Sequence, residues 1–170
     1  MLAPRKTLHS TPMEVLIDCF GCMEIDKNND VLYDLGCGDG RCVMYAAETF
    51  GIRCVGVEID PERALATLAE VKAKGLDHLV EIRCGNALEI EDLEKATIVF
   101  LFLIERGLRR IYPQLVQSRT SHSLQIVTYL YRFDPSSIQP TLKKFCSIPD
   151  TGASFPFYHY RLEKKHHNQK

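Results

Sequence analysis

Residues 31–41, Val-Leu-Tyr-Asp-Leu-Gly-Cys-Gly-Asp-Gly-Arg, run from an apolar stretch into alternate glycines at Gly36, Gly38 and Gly40. Glycines at that spacing let the backbone adopt positive φ and approach a ligand closely. The helix expected next brings free N–H groups to the same spot. A strand, a turn and a helix in that order mark a ligand crevice at the carboxyl ends of parallel strands. A dinucleotide fingerprint needs its third glycine at position 41, where Arg41 stands. Asp34 lies two residues before the first glycine. A carboxylate there repels an anionic pyrophosphate and attracts a ligand that carries positive charge.

The rest of the chain supplies the elements that would hold this turn. Thr11-Pro12-Met13-Glu14 reads as a helix start, with Thr11 as cap and Glu14 completing a capping box. Val15, Leu16, Cys19, Phe20 and Met23 then share one face. Strands are predicted at 31–35, 54–58, 79–84, 97–104 and 124–131. Helices are predicted at 41–50, from Asp60-Pro61-Glu62 to a stop at Gly75, and at 105–116, with a short helix or turn at 91–95. The stretch at 97–104 has no polar face, which suits the centre of a parallel sheet. After it the pattern changes to proline-punctuated segments. Tyr158, Tyr160 and Leu162 alternate with polar residues as in a half-buried strand, and an added antiparallel hairpin is expected there. Alternating strands and helices predict a doubly wound α/β sheet.

Residues 34–41 resemble the first motif of class I S-adenosylmethionine-dependent methyltransferases. Val55-Gly-Val-Glu-Ile-Asp-Pro61 resembles the second, and Cys84-Gly-Asn-Ala87 the third. All three occur in order within residues 31–87. The resemblance implies a single-domain, Rossmann-like methyltransferase sheet of about seven strands, the last antiparallel, over residues 1–163. Residues 1–10 would form an N-terminal arm and 164–170 a disordered basic tail. S-adenosylmethionine is the implied cofactor, and its ammonium and sulfonium suit an acid at the turn. Asp34 would face the methionine amino group. Gly36, Cys37, Gly38 and Gly40 would admit the methionyl and ribose parts. Glu58 would hold the ribose hydroxyls, Ile59 would cover an adenine face, and Asn86 and Ala87 would meet the adenine edge. Asn86 stands where the family usually has Asp. Thr11 is carried as a further cofactor contact. Each residue also has a plainer reading: a turn cap for Asp34, tight packing for the glycines, a solvated strand end for Glu58, a turn residue for Asn86 and a helix cap for Thr11.

The acceptor is less legible. The Asn/Asp-Pro-Pro-Tyr motif of nucleobase and glutamine methyltransferases is absent after the fourth strand, where Phe102-Leu-Ile-Glu-Arg106 stands. The layout is similar to small methyltransferases that include mitochondrial protein-lysine enzymes, which makes a protein lysine amine the expected acceptor and a small molecule the alternative. A lysine must shed its proton first, at a cost of about 4.6 kcal/mol at pH 7. An apolar pocket lowers that cost, and an acid can orient the amine. Glu105, Tyr129 and Tyr131 are the candidate catalytic residues, with core packing and a helix cap as their plainer readings. A non-catalytic module of this fold and a nicotinamide oxidoreductase are the rival classes.

Composition narrows the classes. The chain has 170 residues, 45% hydrophobic and 25% charged, which is ordinary for a globular domain. Net charge is −1, and no basic stripe interleaves with aromatics, so no nucleic-acid partner is expected. The longest apolar run is far shorter than the about 20 residues of a membrane span. The seven cysteines lack the paired spacing of a zinc site, and no metal is expected. Residues 1–13 hold no apolar signal core, so a cytoplasmic protein with free thiols is expected. That segment also lacks acids and contains Arg5, Lys6 and His9, which keeps a mitochondrial location as the alternative. Monomer and homodimer both stay open.

Overall fold

The computed structural model describes residues 9–118, 122–148 and 151–164. The expected arm and tail therefore fall mostly outside the described residues. The sheet has seven strands: β1 (Val31–Leu35), β2 (Arg53–Glu58), β3 (Val80–Cys84), β4 (Ile98–Leu101), β5 (Leu124–Tyr129), β6 (Leu142–Ser147) and β7 (Ser154–Leu162), in the order β3-β2-β1-β4-β5-β7-β6. β1 to β5 pair in parallel. β7 runs antiparallel to both β5 and β6. This is the seven-stranded α/β methyltransferase sheet, with the expected hairpin as its last two strands. The helices are α1 (Met13–Phe20), α2 (Arg41–Phe50), α3 (Pro61–Ala73) and α4 (Glu105–Ser118).

The sheet divides the core in two. Leu32, Ile98, Phe100, Val127 and Phe157 pack with α1 and α2 on one face. Tyr33, Leu35, Val99, Leu101 and Ile126 pack with α4 on the other. Period-two alternation within each strand sends neighbours to opposite faces. Asp34 therefore projects to the α1 and α2 side, like Leu32. β4 is buried at every position between β1 and β5. The strand order reverses between β1 and β4, so the chain ends leaving these two strands flank the crevice.

Three local readings change. Thr11 does not cap α1. Pro12 occupies the N-cap position, and no side chain caps the helix. The Pro12 carbonyl accepts instead from Val15 and Leu16 N–H at 3.1 and 3.2 Å. β4 and β5 are shorter than predicted. Residues 102–104 leave the sheet to reach α4, and Leu130 turns left-handed at φ 66°. β6 was not placed from sequence, because its Leu-Lys-Lys-Phe core is exposed at an edge and carries no period-two signal.

Gly56 in β2 is needed for space rather than for φ. A Cβ there would lie 2.8 Å from Cys37 Sγ and 2.9 Å from Ile82 Cδ1. The close approach lets the glycine turn lie flat against β2. Gly56→Ala should lower unfolding stability by about 1–3 kcal/mol in denaturant titration. Gly85→Ala is the control, since nothing lies within 4 Å of its added carbon. Equal stability of the two variants would refute the packing argument.

Candidate functional site

The turn between β1 and α2 is built as the sequence requires. Gly36, Gly38 and Gly40 have φ of 108°, 56° and 72°. The N–H groups of Gly36 and Cys37 both donate to Val57 O, at 2.8 and 2.9 Å, which ties the turn to β2. Gly38 N donates to Glu58 Oε2 at 2.9 Å. Thr67 of α3 donates its hydroxyl to Gly38 O at 2.8 Å. The loop's middle residue is thus held from both sides by buried groups. Sequence reasoning missed Thr67. Its one signal was a polar residue on the otherwise apolar face of α3.

Three carboxylates converge here. Asp34 is 4% exposed. Burial pushes its carboxyl up to about 8, against a hydrogen bond from the Cys42 thiol and with the negative charges of Glu58 and Asp39 adding to the rise. Glu58 is equally buried and is anchored by Gly38 N, by Asp60 N at 2.9 Å and by Arg63 Nη1 at 3.2 Å. Asp39 is held below the usual carboxylate range despite partial burial, because Arg41 and Ser10 donate to it. A cluster of two buried acids and one half-buried acid is electrostatically arranged to receive a cation.

Segment 9–11 lies over this turn. Ser10 Oγ donates to Asp39 Oδ2 at 2.8 Å, and Arg41 Nη1 donates to Thr11 O at 3.3 Å. Thr11 is buried and lines one cavity with Asp34, Gly36, Cys37, Gly38, Cys42, Phe100 and Phe102. These two contacts tie residues 10 and 11 to the glycine turn, so Thr11 belongs to the site by position. Its hydrogen-bonding atom there is the backbone carbonyl.

The other residues divide. Ile59 is half-buried just past β2, and Ala87 is buried beside Asn86. Asn86 Oδ1 accepts from Leu88 N at 3.1 Å, and its Nδ2 donates to Glu89 at 2.8 Å. It thereby caps the short 3₁₀ turn Ala87–Glu89, which agrees with its plainer reading and leaves one lone pair on its oxygen. Tyr129 is 3% exposed and its ring meets Phe102, which lines the cavity. Tyr131 packs against the opposite core, on the α4 face, and is not brought to the same place. Glu105 opens α4 and is exposed. Phe102 was not singled out from sequence, because an apolar residue in an apolar strand carries no signal of its own. Among the described residues no three His, Cys, Asp or Glu side chains group to hold a metal ion.

Known proteins share this arrangement. The family model described as the ANTKMT methyltransferase domain matches residues 34–141. A protein-lysine N-methyltransferase of Saccharolobus islandicus is 40% identical over 96 residues, which are 55% of this chain and 59% of that protein. Norajmaline N-methyltransferase of Rauvolfia serpentina is 34% identical over 59 residues, 35% of this chain and 20% of that one. The chain thus spans less than two thirds of the length of these curated relatives. An RNA methyltransferase from Salinibacter ruber, solved with S-adenosyl-L-homocysteine, superposes with a TM-score of 0.78 at 31% identity, covering 93% of this chain and 96% of that one.

The buried carboxyl gives a pH signature. Asp34 is raised to about 8 in the folded chain and has an ordinary value near 3.9 when unfolded. Between those values the folded state holds the extra proton, so rising pH removes stability across about pH 4 to 8. Asp34→Asn removes that titration. Denaturant unfolding at pH 5.5, 7 and 8.5 should show the variant gaining on the wild type as pH rises. A variant-minus-wild-type stability difference that stays flat or falls as pH rises would contradict the buried, protonated carboxyl.

Proposed function

Because the chain belongs to the ANTKMT methyltransferase family, we propose that it moves the methyl group of S-adenosylmethionine to the side-chain amine of a protein lysine. The observation that carries the cofactor is the buried Asp34 carboxyl beside a glycine turn, flanked by Glu58 and Asp39. S-adenosylmethionine brings an ammonium and a sulfonium, and the pocket offers compensating negative charge. Likeness to the lysine methyltransferase supports the acceptor.

In this reading Asp34 faces the methionine ammonium, and the glycine turn admits the methionyl and ribose groups. Glu58 accepts from the ribose hydroxyls through the lone pairs left by Gly38, Asp60 and Arg63. Ile59 covers one adenine face. Asn86 and Ala87 border the adenine edge, with Asn86 offering a neutral acceptor where a carboxylate is usual. Arg41 and Asp39 hold the Ser10–Thr11 strap over the bound methionyl end. The amine lone pair attacks the methyl carbon in line with the C–S bond. The bond's electrons pass to sulfur, leaving a neutral thioether, and the nitrogen becomes a methylammonium. The amine must enter neutral, so its proton passes to water before the transfer. No carboxylate base is required at the reacting nitrogen, which agrees with Glu105 pointing to solvent as a helix-start residue.

The seven cysteines are all unpaired, which supports a reducing compartment. We propose a cytoplasmic location, with mitochondria as the alternative. RNA is the second acceptor reading, favoured by the likeness to the Salinibacter enzyme.

Isothermal titration with S-adenosylhomocysteine tests the cofactor. Micromolar binding should weaken at least about tenfold in Asp34→Asn, the loss of one charge-assisted contact. Affinity should rise with pH up to about 8, because the ionised carboxyl is the binding form. Heat signals in buffers of different ionisation enthalpy should show a proton released below that pH. Tritiated-methyl labelling of extract with the purified protein then separates acceptors. Label that survives nuclease and hydrolyses to methyl-lysine supports lysine. Label lost to nuclease supports RNA. Absence of S-adenosylhomocysteine binding to folded protein would sink the reading.

A further inference from the structure

The cavity beside Asp34 ends at Phe102, the first residue beyond β4. Phe102 is half-buried, and its ring meets Tyr129 edge-on at 4.9 Å between centroids. Tyr129 in turn meets Phe155 of β7 at 6.4 Å, also edge-on. Phe155 is half-buried. The three rings form one aromatic row at the ends of β4, β5 and β7, with Phe102 lining the cofactor cavity and Tyr129 buried between the two half-buried phenylalanines. All three pack on the α1 side of the sheet, the side to which Asp34 projects.

The backbone is strained where this surface is set. Leu130 is the only non-glycine residue with positive φ among the described residues. A left-handed turn at a bulky residue persists only where its surroundings enforce it, and such outliers cluster at functional sites. Here the enforcement is visible. Leu130 N donates to Pro156 O at 2.9 Å, and Tyr131 N donates to Tyr129 O at 2.8 Å. Thr128 Oγ1 donates to Tyr131 O at 2.6 Å from a fully buried position. The turn separates the two tyrosines, sending Tyr129 to the Phe102 ring and Tyr131 to the opposite core.

We propose that the Phe102–Tyr129–Phe155 surface is the acceptor wall, that it takes an unbranched aliphatic amine of lysine length, and that the Leu130 turn is the device that positions Tyr129 in it. The proposal rests on the methyltransferase reading above. Rings that exclude water around the nitrogen disfavour its ammonium form, so the amine is held neutral for attack. Apolar ring faces pack along the four methylenes. A nucleobase would need directional partners for its Watson–Crick edge as well as a stacking face, and phenylalanine supplies none.

Two nitrogen-for-sulfur analogues of S-adenosylhomocysteine test this without a known acceptor. One carries a four-carbon amine chain where the transferred methyl sits, and the other carries a benzyl group. Wild type should bind the amine-chain analogue at least about tenfold more tightly than S-adenosylhomocysteine. Phe155→Leu, and Leu130→Pro, which can neither hold positive φ nor donate to Pro156, should lose most of that gain while binding S-adenosylhomocysteine as wild type does and keeping a cooperative melting transition. Tyr129→Phe should keep the gain, since it keeps the ring. A gain for the benzyl analogue alone would overturn the proposal in favour of a stacked base. A gain undiminished in both variants, or no gain for either analogue, would place the acceptor elsewhere. Failure of wild type to bind S-adenosylhomocysteine would instead strike the cofactor reading beneath it.

Discussion

A carboxyl buried in the middle of a parallel strand is the constraint around which the structure is arranged. Asp34 sits where the alternation of β1 would place an apolar side chain, between the packed faces of Leu32 and the glycine turn. Burying a charge without a partner is costly, and a carboxyl in that position takes up a proton instead. The thiol of Cys42 is its one hydrogen-bond donor among the causes of its shift, and a thiol donates weakly. Its own chain therefore offers the ionised carboxyl little compensation. The site is completed by a cation, and the cation must arrive where the glycine turn leaves room for it.

That room is held open by contacts from outside the turn. Val57 O accepts two N–H groups of the loop, Glu58 accepts a third, and Thr67 binds the loop's carbonyl from α3. Gly40 is boxed in by the Thr67 methyl, so the same threonine fixes the start of α2. Glu58 is bound to the loop through one oxygen and to Asp60 N and Arg63 through the other. Its position is set before any ligand binds, and a preorganised acceptor loses less on binding than a mobile one. The buried Gly56 belongs to the same design, since it lets the turn lie against β2.

The sequence made the cofactor half of this site legible because its features are of types that show in one dimension. Glycines at alternate positions, an acid at a strand end and a proline-led helix start each have a local cause. The doubly wound sheet followed from strand and helix alternation, its seven strands from the family resemblance, and β4 from its unbroken apolar run. What stayed hidden depends on contacts between distant segments. Thr11 looked like a cap, but the Arg41 guanidinium takes its carbonyl and Pro12 takes the cap position. Thr67 and Phe102 acquire their places only when α3 and β4 come to the turn. Asn86 shows the limit differently. Its side chain satisfies the backbone of the next turn first, so a motif position serves folding as well as any ligand. Tyr129 and Tyr131 looked equivalent, and only the left-handed Leu130 between them assigns them to different faces.

The two halves of the site also differ in how the sheet supports them. The cofactor half hangs on β1 and β2, whose parallel pairing is continuous from Val31 to Leu35. The acceptor half lies where β4 and β5 end and the antiparallel β7 takes over. β5 and β7 pair up to Tyr129 and Phe157, and the chain must then leave the sheet within one residue. A regular extended exit would carry Leu130 and Tyr131 onward along the sheet and would not reverse the aromatic face. The left-handed turn does this in one step, at a strain that the Thr128 and Pro156 bonds offset. Change of acceptor therefore needs no change in the glycine turn. It needs only different side chains and a different exit at β5 and β7.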